Sequence, residues 1–418
     1  MANFRNERGL PRIRNIELSE KNVKLRLILA AALLVLGLVA IAIGVNSCVS
    51  AQMGWQEVQA SSNKRNCSQD FICNYYYGGA DMDPTAERRQ VTECYSRAVE
   101  DAYDLFNIGM EDTSMGNLTL INAHPNEVVS VEPELYNALA LIHESGSRYM
   151  YLAPVYGEYR QVFSAELEAV AEECDPAKNE TVRDYVQQAI AFVADPAHVS
   201  LELLGNHQVK LSVSQAYLQF AEEYGLTAYL DLGWMKNAFI ADFLAQRLAN
   251  AGHTNGYLVS YDGYTRNLDK RGESYSFNLF DGAGHEVFMA ATMQYSQPMS
   301  IVFLRNYPMT GRDASDYFVY SDQTITTARI DPADGMSKSA TDNLVVYGSD
   351  VGCAEIVLKT APLFVCDTWN PEAVQALVEE GIYSIWFDGE TLWHNQKDLV
   401  LTVQEIEGTA YQAEYAGK

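Results

Sequence analysis

The stretch Leu230-Asp231-Leu232-Gly233-Trp234-Met235-Lys236-Asn237-Ala238-Phe239-Ile240-Ala241-Asp242 decides the fold, together with its continuation through Gly252 to Ser260-Tyr261-Asp262-Gly263. It reads as strand, glycine turn, amphipathic helix, turn and second strand. Tyr229 to Leu232 is a short β-prone run that stops at Gly233. From Ala238 the apolar residues Ile240, Leu244, Leu248 and Ala251 recur at helical spacing along one face. Gly252 follows as a left-handed C-cap. Gly256 to Tyr261 is apolar, β-branched or aromatic, and ends at an Asp-Gly turn. A glycine turn that feeds a helix N-terminus points backbone N–H groups outward and suits an anion or phosphate. The same turn equally serves to join a strand to a packed helix.

Upstream, residues 1–26 carry seven Lys or Arg against Glu7, Glu17 and Glu20. Leu27 to Val45 follows without a charge, and nineteen such residues span roughly 28 Å as a helix, about one hydrocarbon core. The basic flank precedes the apolar run, which predicts a cytoplasmic tail and an exported remainder. The expected organisation is a basic tail (1–26), a transmembrane signal anchor (27–48), a juxtamembrane linker or strand (49–69) and one extracytoplasmic domain (70–418). The expected address is the cell membrane, crossed once. A cleaved signal peptide and lipid attachment at Cys48 are the alternatives.

The chain carries a net charge of −26, and residues 27–418 alone carry −30. So acidic a domain repels nucleic acid and anionic headgroups, and neither is an expected partner. Beyond Cys48 there are six cysteines, at 67, 73, 94, 174, 353 and 366. Disulfides are compatible with an exported domain, with Cys67–Cys73 and Cys353–Cys366 the first pairs to test. No CxxC or Cys/His ligand spacing occurs, which argues against zinc. The seven histidines form no metal-binding couplet.

Elsewhere Phe71–Tyr77 is β-prone, 87–106 is helical, and Val128–Val131 is a short strand. Pro133 opens another helix. Further helices are expected over 166–173, 181–193, 212–223, 352–362 and 371–380. Strands are expected over 275–280, 287–293, 299–306, 317–320 and 344–347, with a hairpin around Asp388-Gly389. The class is α+β, with a large mixed, mainly antiparallel sheet.

Three segments then resemble one family. Asp231-Leu232-Gly233 with Asp242 is similar to the D-L-G-G-I-A-K-G-Y-A-V-D motif of the FAD:protein FMN transferases, the ApbE family. Ser260-Tyr261-Asp262-Gly263 stands where that family has an N-x-G-G turn. Ala328-Arg329-Ile330-Asp331-Pro332-Ala333-Asp334-Gly335 resembles its H-I-I-D-P-x-T-G. Cys353 to Lys359 lines up with its A-D-A-x-x-T segment, and Leu120-Ile121-Asn122 with its lead-in. The resemblance spans about residues 70 to 365. It implies a flavin-transferase-like fold, FAD and Mg²⁺ as cofactors, and transfer of FMN to a Thr or Ser of an acceptor protein. By the same resemblance Gly233, Lys236, Asn237, Ser260, Asp262, Gly263 and Asp331 face the cofactor, and Glu355 and Thr360 stand at the metal.

The departures from the family pattern matter as much. Asn237 occupies the lysine position, with Lys236 displaced by one residue, a rotation of about 100° around a helix. Asp262 replaces the first glycine of the paired turn, Ala328 replaces the histidine, and Lys359 stands at the metal-binding Thr. Glu355 and Lys359 also have the i, i+4 order of a plain helical ion pair. Three functions stay open: a flavin transferase with a drifted site, a non-catalytic flavin or nucleotide binder, and a scaffold that reuses the fold. Reduced or lost catalysis is the expectation, with no catalytic residue assigned.

Overall fold

The computed structural model describes Leu33 and residues 53–79, 82–110, 114–283, 286–406 and 409–417. The expected anchor at 27–48, with Cys48, lies outside the described residues apart from Leu33. Among the described residues no helix is long and apolar enough to cross a membrane. The chain divides into Met1–Gln52 and Met53–Lys418, so the folded unit begins well before residue 70. The expected linker holds a strand, β1 (Gly54–Glu57), and its Val58 and Cys67 are buried.

In chain order follow β2 (Phe71–Tyr77), α1 (Pro84–Phe106), α2 (Leu118–Ala123), β3 (Val128–Ser130), α3 (Pro133–Ser145), α4 (Ala153–Ser164), α5 (Glu168–Cys174) and α6 (Glu180–Val193). Then come β4 (Val199–Gly205), β5 (Gln208–Val213), α7 (Gln215–Tyr224), α8 (Lys236–Asn250), β6 (Gly256–Ser260), β7 (Tyr264–Asn267), β8 (Tyr275–Ala283), β9 (Glu286–Tyr295), β10 (Met299–Arg305), β11 (Tyr317–Val319) and β12 (Ile325–Thr327). The chain ends with β13 (Asn343–Gly348), α9 (Cys353–Phe364), α10 (Pro371–Ala376), β14 (Tyr383–Asp388), β15 (Thr391–His394), β16 (Val400–Val403), β17 (Glu405–Ile406), β18 (Thr409–Ala410) and β19 (Gln412–Tyr415).

A nine-stranded sheet in the order β1-β2-β6-β7-β10-β13-β14-β15-β19 organises the unit. Its pairs are antiparallel except β15 with β19. Alternation along β10 shows how both faces are used. Val302 and Leu304 enter the helical core with α1, α8 and α9, whereas Ile301 and Phe303 enter a second core under the three-stranded sheet β16-β9-β8. A strand buried on both faces loses the polar alternation of a half-exposed one, and all seven residues of β10 are buried.

Helix α8 is fastened to α9 by one carboxylate. Asp242 accepts hydrogen bonds from Cys353 N at 2.9 Å and Ala354 N at 2.8 Å, and Arg266 Nε stands 3.2 Å away. Two free N–H groups of the α9 first turn are thereby satisfied, and the negative charge sits at the positive end of that helix. Gly352 leaves room for it, because a Cβ there would lie 2.4 Å from Asp242 Oδ2 and displace the carboxylate.

Several expectations need correction. Tyr229–Leu232 is not a strand. Its backbone is claimed by a side chain: Asn122 Oδ1 accepts from Tyr229 N at 2.8 Å and Leu230 N at 2.9 Å, while Asn122 Nδ2 donates to Leu230 O at 2.9 Å. The expected helix 212–223 is cut by Ser214, which leaves β5 and caps α7 by accepting from Tyr217 N. The hairpin β4–β5, turned through left-handed Asn206 and His207, was not expected, and neither was α4. All six cysteines in the described residues are free. Cys353 opens α9 and Cys366 follows its end, about 18 Å apart along the axis and far beyond disulfide reach. Cys67 instead donates to Val99 O.

Asn122→Ala leaves three buried backbone groups without their partner. It is expected to lower stability by about 3 kcal/mol, read as a lower urea midpoint with an unchanged slope.

Candidate functional site

Three chain segments converge at the start of α8. Asp231 donates its N–H to Met150 O, and its Oδ1 accepts from Gly233 N at 2.9 Å. This local ring drives Gly233 to φ +55°, where a Cβ would lie 2.3 Å from the Tyr156 ring. Asp231 Oδ2 receives Arg160 Nη1 from α4 at 2.9 Å. The chain then enters the first turn of α8, and Lys236 and Asn237 both reach the same cleft. The 100° between them does not separate them, because the cleft wraps the helix end.

Across the cleft, the β6–β7 turn carries Asp262. Asn237 Nδ2 donates to Asp262 Oδ2 at 3.0 Å. Gly263 follows at φ +114°, where a Cβ would lie 2.4 Å from Phe303 O. Ser260 Oγ accepts from Tyr264 N and holds the turn. Asn237 Oδ1 and Asp262 Oδ1 are shut off from solvent with no hydrogen-bond partner among the described residues. Burial pushes the Asp262 carboxyl up to about 6, with Asp316 adding to the shift and hydrogen bonds from Ser260 and Asn237 and the charge of Arg329 opposing it. Asp70 is likewise raised by burial, with Lys236 pulling the other way.

The cleft has a volume of about 730 Å³, ample for a nucleotide-sized ligand. Its walls are aromatic, with Tyr156, Tyr159, Trp234, Tyr261 and Tyr317, and its charges divide into ion pairs, two cations outside them (Lys236 and Arg312) and two carboxylates outside them (Asp70 and Asp262). Arg160–Asp231 at 2.9 Å and Arg305–Asp313 at 3.0 Å are paired, and buried Arg329 pairs with Asp316 at 3.3 Å behind them. Lys236 and Arg312 form no ion pair among the described residues. Lys236 Nζ donates to the neutral Asn107 Oδ1 at 2.8 Å, and the Arg312 guanidinium lies 4.1 Å from the centroid of the Tyr261 ring. Two cations outside any ion pair, facing aromatic walls and two carboxylates, can hold an aromatic ligand whose anionic group lies at Lys236 and Arg312.

Structural comparison places the fold. The chain superposes on the ApbE protein of Thermotoga maritima with a TM-score of 0.55 at 15% identity, covering 80% of this chain and 94% of that one. It superposes on the flavin transferase ApbE of Vibrio cholerae with a TM-score of 0.54 at 12% identity, covering 84% and 97%. The fold is ApbE-like. No family model matches the sequence, and no curated protein matches it significantly. The chain is thus a divergent bearer of the ApbE-like fold.

On that fold the expected site residues separate. Gly233, Lys236, Asn237 and Asp262 line the cleft, and Ser260 and Gly263 shape its turn. Ala328, which the motif resemblance aligned with the family's histidine, lines it too, with no side chain able to donate or accept. Asp331 is outside the lining, in an ion pair with Lys338 at 3.1 Å. Glu355 and Thr360 also lie outside the lining. Glu355 pairs with Lys359 at 3.0 Å, and Lys359 also bonds Glu380. Thr360 is fully buried and donates to Ile356 O at 2.8 Å. A carboxylate held by an ammonium and a hydroxyl spent on its own helix do not fit a Mg²⁺ site, which calls for free oxygen ligands. Sequence reading missed Arg160, Tyr156 and Tyr159 on α4, although Tyr156, Tyr159, Arg160 and Phe163 have helical spacing. It missed Arg312 for want of any motif.

Gly233→Ala forces a β-carbon into the Tyr156 ring at a positive φ. It is expected to cost about 2–4 kcal/mol, seen as a lower melting temperature and a weakened Arg160–Asp231 contact.

Proposed function

We propose that this protein binds a flavin nucleotide in the cleft between α4, α8 and the β6–β7 turn, and that Mg²⁺-dependent FMN transfer has been reduced or lost. The proposal includes anchorage through residues 27–48, with the folded unit outside the cytoplasm. The observation that carries it is the pair of uncommitted cations, Lys236 and Arg312, beside aromatic walls. The ApbE-like fold supports flavin as the ligand class.

In this reading the ligand's phosphate takes Lys236 Nζ and the Arg312 guanidinium as charge-assisted donors. The flavin ring lies against tyrosine and tryptophan faces. Asp262 sets the affinity. Ionised, it opposes an anion beside it; protonated, it does not. Its folded-state pKa is raised, so the neutral form prevails below about pH 6 and the charge returns as pH rises through that value. An anionic ligand favours the neutral form further, so binding takes up a proton.

Calorimetry on the folded unit with FMN and FAD, in EDTA or in Mg²⁺, tests the reading. The expected outcome is Mg²⁺-independent binding with no FMN passed to a threonine-bearing acceptor peptide. Absence of binding by either flavin would leave a scaffold without ligand, and metal-dependent transfer would restore the enzyme reading. Lys236→Ala should weaken FMN by about tenfold.

The affinity for FMN should rise as pH falls from 7.5 to 6. Asp262→Asn should raise affinity at pH 7.5 by about tenfold and leave only the titration of the ligand's own phosphate. An unchanged pH profile in Asp262→Asn would remove Asp262 from the site.

A further inference from the structure

The two cations that stand outside the cleft's ion pairs are held in different ways. Lys236 is fixed by its own hydrogen bond to Asn107 Oδ1. Arg312 is exposed at the rim, on a 3₁₀ turn of five residues, Gly311–Ser315, with its guanidinium carbon 4.1 Å from the centroid of the Tyr261 ring. So short a turn does not hold its own geometry. Its support comes from the residues around it. Asp313 is 5% exposed, and its Oδ2 accepts from Met309 N at 2.6 Å, Thr310 N at 3.1 Å and Arg305 Nη2 at 3.0 Å. Thr310 caps the same turn, its Oγ1 accepting from Arg312 N at 3.2 Å and donating to Asp313 Oδ1 at 3.3 Å.

Arg305 ties this turn to the β6–β7 turn. It is the last residue of β10 and is 1% exposed. Its backbone is fixed by pairing with Asn343 of β13 and by Tyr317, whose hydroxyl donates to Arg305 O at 3.1 Å. The Nη2 that donates to Asp313 also donates to Tyr261 O at 3.2 Å. One buried guanidinium therefore holds both members of the Arg312–Tyr261 stack, the segment that carries the ring and the turn that carries the cation. Hydrogen bonds between a buried guanidinium and a carboxylate are strong and directional. An arginine with free rotamers gives up that freedom when it takes an anion, whereas one already laid on a ring by a fixed turn gives up less. Lying on the ring by its face, Arg312 keeps its edge donors for phosphate oxygens.

We propose that the buried Arg305–Asp313 pair is a positioning device for Arg312, and that it makes the cleft select ligands that carry a terminal phosphate over the same ligands without one. This rests on the reading of the cleft as a flavin-nucleotide site and identifies what in it recognises the phosphate. Arg305 and Asp313 act through Arg312 and not by touching the ligand.

Titration of the full chain with FMN, riboflavin and inorganic pyrophosphate is the test, with the flavins followed by fluorescence and pyrophosphate by calorimetry. FMN should bind about tenfold more tightly than riboflavin. Arg312→Ala, Asp313→Asn and Thr310→Ala should each weaken FMN and pyrophosphate by about five- to tenfold and leave riboflavin within about twofold. Thr310→Ser keeps the capping oxygen and should match the wild type. Thr310→Ala added to Arg312→Ala should cost nothing further, because the turn acts through that side chain. If Asp313→Asn, which leaves Arg305 buried without its counterion, does not fold, Thr310→Ala decides alone. The proposal is overturned by a wild type that binds riboflavin as tightly as FMN, or by a folded Thr310→Ala or Asp313→Asn that keeps the full preference. Equal loss of riboflavin in those variants, or further loss in the double variant, overturns it as well. Pyrophosphate binding that depends on Arg312 and Thr310, without binding of either flavin, would sink the flavin reading and leave this one standing. Binding of neither flavins nor pyrophosphate overturns both.

Discussion

Helix α8 is the member on which the cleft depends, and carboxylates fix it at two levels. Asp242 reaches from its middle to two backbone N–H groups of α9, and Asp262 reaches from the β6–β7 turn to Asn237 in its first turn. Between them the buried face Ala238, Ile240, Ala241, Leu244 and Leu248 packs into the core under β6, β7 and β10. Burial of that face at about 25 cal/mol per Å² supplies most of the adhesion, but apolar contact alone has little directional preference. The charged hydrogen bonds set rotation and register, and so aim Lys236 and Asn237 into one cleft.

The two positions at which this chain departs from the motif it resembles are not independent of each other. Asn237, in place of a lysine, and Asp262, in place of a glycine, touch each other at 3.0 Å. An amide donor opposite a carboxylate is a coherent pair. Ala328 adds no ionisable group to the same wall. Outside its ion pairs the cleft keeps Lys236 and Arg312 as cations and Asp70 and Asp262 as carboxylates.

Elements whose apolar period is local were legible in the sequence. β2 alternates buried and half-buried residues from Phe71 to Tyr77, α1 and α8 keep one apolar face, and Asp388-Gly389 turns β14 into β15. What sequence could not give was decided by partners far along the chain. Tyr229–Leu232 has strand composition, yet Asn122, over a hundred residues earlier, takes its hydrogen bonds. The strand order is equally non-local, since β2 pairs with β6 across nearly two hundred residues. For the cleft, the motif located Gly233, Lys236, Asn237 and Asp262. Arg160 and Arg312 arrive from segments roughly seventy residues to either side, and no spacing rule connects them. The order Glu355 then Lys359 did foretell an ion pair, and the structure has that pair outside the cleft lining.

The unbonded cysteines have a consequence for how this unit is made. Cys67, Cys73 and Cys353 are buried, and burial holds all three thiols in the protonated form, Cys67 up to about 12 and the other two higher. Thiolate is the species that attacks and oxidises, so the native state protects its own sulfur. Among the described residues no disulfide contributes to its shape. Oxidants reach these three sulfurs only while their side chains are still outside the core, whereas Cys94, Cys174 and Cys366 stay partly exposed in the folded unit.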